Sequence, residues 1–225
     1  MSAGARRLLL RSLLLSLQVD GPAATVRRIW ARLFGREHRY VFVRRLKPPA
    51  TPVEFPLETN GVVVRYMNES DLANMQVKRH QPRDLRHLAE AVVATRAGQI
   101  VGAAWYTDAV TLEQPWYAAV EPHVISPARL TENIFVVPGD KAAAWAIAKS
   151  ATDRLATTGV RTIVGLIGSH NKPSILMSRL LGGKLVAEMS VRHRFGRSTT
   201  VVEPVTDDRD AAITASNSAR RERKR

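Results

Sequence analysis

Leu130-Thr-Glu-Asn-Ile-Phe-Val-Val137 is followed by Pro138-Gly139 and then by Asp140-Lys-Ala-Ala-Ala-Trp-Ala-Ile-Ala-Lys149. The first eight residues, rich in β-branched and aromatic side chains, read as a strand that Pro138-Gly139 stops. Asp140 suits the cap of a helix running to Thr158, and Gly159 suits the left-handed position after its end. A second apolar strand over 161–167 follows, then a turn at Gly168-Ser-His-Asn171. A further helix is opened by Pro173 and closed at Gly182-Gly183. Strand, helix and strand at this spacing require a crossover and a parallel strand pair. The start of the first helix is also a ready anion site. Its first N–H groups lack partners within the helix, and the macrodipole makes that end positive. Ala142, Ala143, Ala144 and Ala146 keep it free of bulk, although alanines there also serve simply as good helix formers.

On these residues the segment resembles the GNAT superfamily, the acyl-CoA-dependent N-acyltransferases. That family shows Val-x-Pro and then Arg/Gln-x-x-Gly-x-Gly/Ala at a helix start; this chain has Val136-Val137-Pro138 and Lys141-x-x-Ala144-x-Ala146. Downstream the family shows Asn-x-x-Ala-x-x-Leu-Tyr and Gly-Phe, against Asn171-x-x-Ser174-x-x-Met177-Ser178 and Gly182-Gly183 here. Upstream, Val64-Arg65 and Asp71-Leu72 resemble its opening strand and the turn into its first helix. The match covers residues 62–195, by order and spacing more than by identity.

The resemblance implies an α/β (α+β) fold: a GNAT-like mixed, mostly antiparallel sheet with a parallel, splayed strand pair, flanked by helices. It implies acetyl-CoA, or another acyl-CoA, as the acyl donor and a small-molecule or peptide amine as the acceptor. The donor site it implies comprises Phe135, Val136, Val137, Lys141, Ala142, Ala143, Ala144, Ala146 and Asn171, with oxyanion donors among the backbone N–H groups of 134–136. For Asn171, capping the helix before Pro173 is an equal reading. Glu132 is the candidate general base, a solvent-facing strand residue being the other reading; Glu121 and His123 are the fallbacks. Ser178 stands where the family's tyrosine protonates the leaving thiolate. Five departures weigh against activity: Ala144 replaces the motif glycine, Lys141 replaces the usual Arg or Gln, Asp140 brings a negative charge to the diphosphate's place, Ser178 replaces the tyrosine, and Gly183 replaces an aromatic residue. A second reading therefore stays open, a catalytically inactive binding or scaffold protein on the same fold.

Hydrophobic content of 45% and charged content of 24% are those of an ordinary globular protein. The absence of cysteine excludes a disulfide, a thiolate metal site and a cysteinyl acyl intermediate. The net charge of +14 is unevenly spread. Residues 1–47 carry eleven basic and two acidic side chains, residues 209–225 six and two, and the segment between them is close to neutral. Basicity confined to the flanks, with no aromatic-laced basic motif, argues against nucleic acid as a partner.

Residues 1–60 read as a basic extension ending in a proline-rich linker, 61–206 as the acyltransferase domain, and 207–225 as a disordered basic tail. The apolar runs near Leu8–Leu15 are too short to span a bilayer. Surface helix and interfacial membrane helix both fit the first residues, and 24–33 repeats apolar residues at helical spacing. Residues 1–47 are thus expected to be peripheral, with an anionic membrane surface as a candidate partner of an otherwise cytoplasmic protein. Arg39–Leu46 alternates as a strand. Helices are expected over 68–78 and 83–90, a hairpin over 92–106, and irregular chain over 107–129.

Overall fold

In a computed structural model, the structure describes residues 35–82, 87–108, 110, 114–194 and 197–206, together with Pro22 and Val26. The described residues form one nine-stranded sheet. Its strands are β1 (Arg36–Arg45), β2 (Leu57–Thr59), β3 (Val62–Tyr66), β4 (Leu88–Arg96), β5 (Gln99–Thr107), β6 (Ala128–Val136), β7 (Thr162–Gly168), β8 (Lys184–Arg194) and β9 (Arg197–Pro204). The helices are α1 (Met75–His80), α2 (Tyr117–Val120), α3 (Lys141–Thr157) and α4 (Lys172–Leu180). The strands lie in the order β2-β3-β4-β5-β6-β7-β1-β8-β9. All neighbours are antiparallel except β6 and β7, the parallel pair that α3 connects. The parallel pair is the one the strand–helix–strand spacing requires, and the mixed, mostly antiparallel sheet around it is the one the resemblance implies.

One face of the sheet is covered by α3, which presents Ala143, Ala146, Ile147, Ala151 and Leu155, a stripe at helical spacing, to Val62, Val64, Val92, Ala94, Ala104 and Ile163. Farther along the same face, α4 seats Ile175 on Phe42 and Leu185. On the opposite face, Val77 of α1 packs with Val93, Trp105 and Phe135. There Trp116 and Val120 also join Val41, Val43, Leu130 and Val164.

The expected domain boundary near residue 61 does not fall there. β1 pairs with β7 over Arg39–Arg45 and with β8 over Arg36–Val43. Its Val41, Phe42 and Val43 are 0, 2 and 4% exposed, so this strand belongs to the core and is not peripheral. The proline-rich stretch after it is docked as well. Leu46 N–H donates to Arg161 O at 2.8 Å, and Val53 N–H donates to Thr157 Oγ1 at 3.2 Å. Arg154 donates to Val53 O at 3.0 Å and to the Tyr66 hydroxyl at 2.8 Å. The segment thereby crosses the C-terminal end of α3 on its way from the sheet's interior to the edge strand β2. Residues 1–34 apart from Pro22 and Val26, and residues 207–225, lie outside the described residues, and with them the expected N-terminal helices and basic tail.

Two local expectations change. The helix expected over 83–90 gives way at Leu88, where β4 begins, because Ala91, Val92 and Val93 pair into the sheet. The stretch over 107–129 is less irregular than expected, since α2, a short 3-10 turn over Glu121–His123 and the start of β6 occupy much of it. Among the described residues no helix is long and apolar enough to cross a membrane.

Candidate active site

β6 and β7 pair only over Ala128–Thr131 and Thr162–Gly165. Beyond that point the strands part. Residues 132–136 stay beside β5, while Leu166, Ile167 and Gly168 stay beside β1. A bulge marks the parting: Thr131 lies opposite Tyr106 and Asn133 opposite Trp105, leaving Glu132 as the extra residue. A bulge bends its strand and re-aims side chains, so three successive residues, Glu132, Asn133 and Ile134, become exposed. Val137 N–H donates to Val101 O at 2.9 Å, toward β5. Alternation along the strand then turns the N–H groups of Ile134 and Val136 the other way, into the wedge that β7 leaves.

The wedge differs on its two sides. On the α3 side, Ile134 is 48% exposed, and a Cβ built on Gly165 would meet none of the described residues within 4 Å. On the α1 side, the Glu132 carboxylate receives the Thr107 hydroxyl at 3.5 Å, with Thr107 itself buried. Nearby, the His80 ring stacks on Phe135 at 5.1 Å, and Asn133 Nδ2 donates to His80 O at 2.9 Å. His80 Nδ1 lies 2.8 Å from Gln76 O, which makes it the N–H donor and Nε2 the basic nitrogen of the neutral ring. His80, unlike His123, is not among the residues the sequence singles out. The available signal was its place in the last turn of a helix that Asn74 caps.

The helix start of α3 is not the anion site its sequence suggests. Asp140 Oδ1 accepts the Ala143 N–H at 2.9 Å, and Ala142 N–H also turns toward this carboxylate. Lys141 N–H donates to Gly139 O at 3.0 Å and Ala144 N–H to Asp140 O at 3.1 Å. The donors of the first turn are therefore met from within the chain. Arg96, at the end of β4, grips the same carboxylate in bidentate fashion, Nη1 to Oδ2 at 2.7 Å and Nη2 to Oδ1 at 3.1 Å. The Ala143 N–H and then the guanidinium hold Asp140 below the usual carboxylate range. Ala143 and Ala146 are buried under the helix as core residues, so their side chains cannot line a ligand site.

The remaining predicted positions serve the fold. Asn171 caps α4, its Oδ1 accepting the Ser174 N–H at 3.3 Å, so the capping reading holds. Ser178 packs against the turn after α4: a Cβ on Gly183 would meet Ser178 Oγ at 2.5 Å, and Gly183 N–H donates to Ser178 O at 2.8 Å. That Cβ would also meet Ser178 O at 2.8 Å, so the helix end leaves no room for a larger residue at Gly183. Arg65 and Asp71 form a bidentate pair at 2.8 Å that fixes the turn between β3 and α1, with Asp71 only 4% exposed. Among the described residues no group of three or more His, Asp or Glu could hold a metal ion.

No protein-family model matches the sequence, and no curated protein matches it. Solved structures do resemble it in fold. A putative acetyltransferase of the GNAT family from Novosphingobium aromaticivorans is 12% identical, with a TM-score of 0.49, over 76% of this chain and 66% of that one. A tandem GNAT protein from the clavulanic acid biosynthesis pathway is 15% identical, with a TM-score of 0.48, over 83% and 60%. A GCN5-related N-acetyltransferase from Kribbella flavida is 13% identical, with a TM-score of 0.41, over 82% and 63%. The chain spans less than two thirds of the length of each. The fold class itself stands on the strand order, the parallel pair and the splay.

For an acyl-CoA the residues fit in one part and fail in another. The wedge, with its inward N–H groups and the uncovered face of Gly165, fits a thioester arm. The head of α3, its donors met by Asp140, does not fit a diphosphate.

Proposed function

We propose that this protein transfers an acyl group, acetyl in the simplest case, from an acyl thioester to the amine of a small molecule or peptide. The single observation behind this reading is the wedge between β6 and β7, with the bulged Glu132 on one side and N–H groups turned inward at Ile134 and Val136. The thioester carbonyl accepts one of these N–H groups, which then stabilises the oxyanion as the amine attacks. Attack forms the C–N bond, and the collapse of the adduct breaks the C–S bond. The amine's proton passes to Glu132 through a water molecule, and the thiolate takes its proton from solvent. Thr107 positions the carboxylate from below.

Ser178 has no part in this scheme, its hydroxyl being packed on Gly183. Residues 1–34 remain the candidate for contact with an anionic membrane surface, while Arg36–Arg45 are committed to the sheet. The test is turnover: the purified chain is supplied with acetyl-CoA or S-acetylpantetheine and a panel of amines, and thiol release is followed. Release that depends on both the amine and Glu132 carries the proposal. Release absent with every pair returns the molecule to the scaffold reading.

A further inference from the structure

The Asp140–Arg96 pair lies where a nucleotide diphosphate would have to sit if α3 were to hold it. Diphosphate recognition at a helix start uses two resources, unpartnered N–H groups and a positive end. Here one carboxylate has consumed both. It caps Ala143 N–H at 2.9 Å, and it faces the helix end as a fixed anion clamped by Arg96 at 2.7 and 3.1 Å. Arg96 comes from the hairpin between β4 and β5, so the clamp ties two separate elements. Freeing either the N–H groups or the guanidinium for a phosphate means breaking that tie and bringing two anions together.

We infer that Asp140, held by Arg96, closes the diphosphate seat, so that this chain recognises an acyl donor by its thioester arm and gains nothing from the nucleotide end. This rests on the acyl-transfer reading of the wedge, and it specifies the donor class: acyl-pantetheine thioesters, whatever they are attached to. Asp140 and Arg96 are then specificity determinants, set against a group that a helix start of this shape would otherwise bind.

The inference is tested by calorimetric titration of the full chain with acetyl-CoA and with S-acetylpantetheine, which shares the thioester arm and lacks the nucleotide. The wild type is expected to bind the two within about threefold of each other. Asp140→Asn keeps a good cap while removing the charge. It should tighten acetyl-CoA by about tenfold, the scale of one charge at a helix start, and leave S-acetylpantetheine unmoved. Asp140→Ser, also a good cap, serves if the first variant folds poorly. A wild type that prefers acetyl-CoA tenfold or more, with the preference unchanged in the variant, overturns the inference.

Inorganic pyrophosphate separates this idea from the acyl-transfer reading. It should raise the melting temperature of Asp140→Asn and not that of the wild type. If the variant gains the pyrophosphate response but neither protein binds S-acetylpantetheine, the closed seat stands and the acyl-transfer reading falls. If the variant gains no pyrophosphate response, the carboxylate is not what excludes the diphosphate, and the inference falls.

Discussion

β7 has two neighbours, and they treat it differently. On one side β1 follows it over its whole length, from Thr162 beside Arg45 to Gly168 beside Arg39. On the other side β6 leaves it after Gly165. The closed side comes from a strand more than a hundred residues away in sequence, and it contributes Val41, Phe42 and Val43 to the core. The open side comes from a strand joined to β7 by a single helix, and it contributes a wedge. One strand thus carries both stability and the candidate chemistry, divided between its two edges. After β6 has parted, β1 alone holds the far half of β7 in the sheet, from its other edge.

Loss of the closed side should do the most damage. Removal of residues 1–47 deletes β1, separates β7 from β8 and exposes two sheet edges; circular dichroism on heating should show no cooperative transition. Phe42→Ala is the graded version and should cost about 3–5 kcal/mol in chemical denaturation. A deletion that melted like the full chain would mean that β1 is dispensable and that the contrast between the two edges is false.

The open side is tested next by Glu132→Gln, which keeps size and hydrogen bonding and removes basicity. Steady-state turnover at neutral pH should fall by about two orders of magnitude, or about 2.7 kcal/mol in the barrier. Thioester affinity should hold, and activity should partly return at high pH as the amine loses its proton unaided. Unchanged turnover would move the base elsewhere, with variants of Glu121, His123 and His80, whose ring stacks on Phe135, the next to measure.

Two glycines on the α3 face then sharpen the contrast. Gly102 lies beneath α3, and a Cβ there would meet Ile147 Cδ1 at 2.5 Å and Phe135 O at 2.9 Å. Gly102→Ala should therefore cost about 1–3 kcal/mol, since the carbonyl cannot yield as the isoleucine can. Gly165 lies over the wedge, where a Cβ meets nothing among the described residues within 4 Å. Gly165→Val should change stability by about 0.5 kcal/mol or less, less than any of the other variants. Its consequence should appear instead as weaker binding of S-acetylpantetheine in titration. Stability loss at Gly165 comparable to that at Gly102 would mean that the wedge is closed.

Much of the molecule was legible before any coordinates. The strand at 130–137, the helix capped by Asp140, the strand at 161–167 and the helix capped by Asn171 all depend on short-range signals: β-branched runs, Pro-Gly stops, caps and alternation. So did the parallel pair, because a strand–helix–strand of that length has few other ways to close. The candidate base Glu132 and the donors at 134–136 were expectations of the resemblance alone, since nothing in the local pattern separates a base from a solvent-facing strand carboxylate.

Consecutive residues carry local order only. The sequence marked Arg39–Leu46 as a strand, since a period of two is written in consecutive residues, but not the strand's partners, because alternation carries no address. Tertiary structure decided that this strand enters the sheet between β7 and β8, with Arg39 opposite Gly168 and Met189. It likewise decided the fate of the helix start. Asp140 announced a cap and a stray charge, but Arg96 lies 44 residues earlier, on another hairpin. Only the packing of β4 against β5, and of α3 over both, brings the guanidinium onto that carboxylate. Caps and periods are set by bonds between neighbours in sequence, whereas ion pairs and strand order are set by neighbours in space.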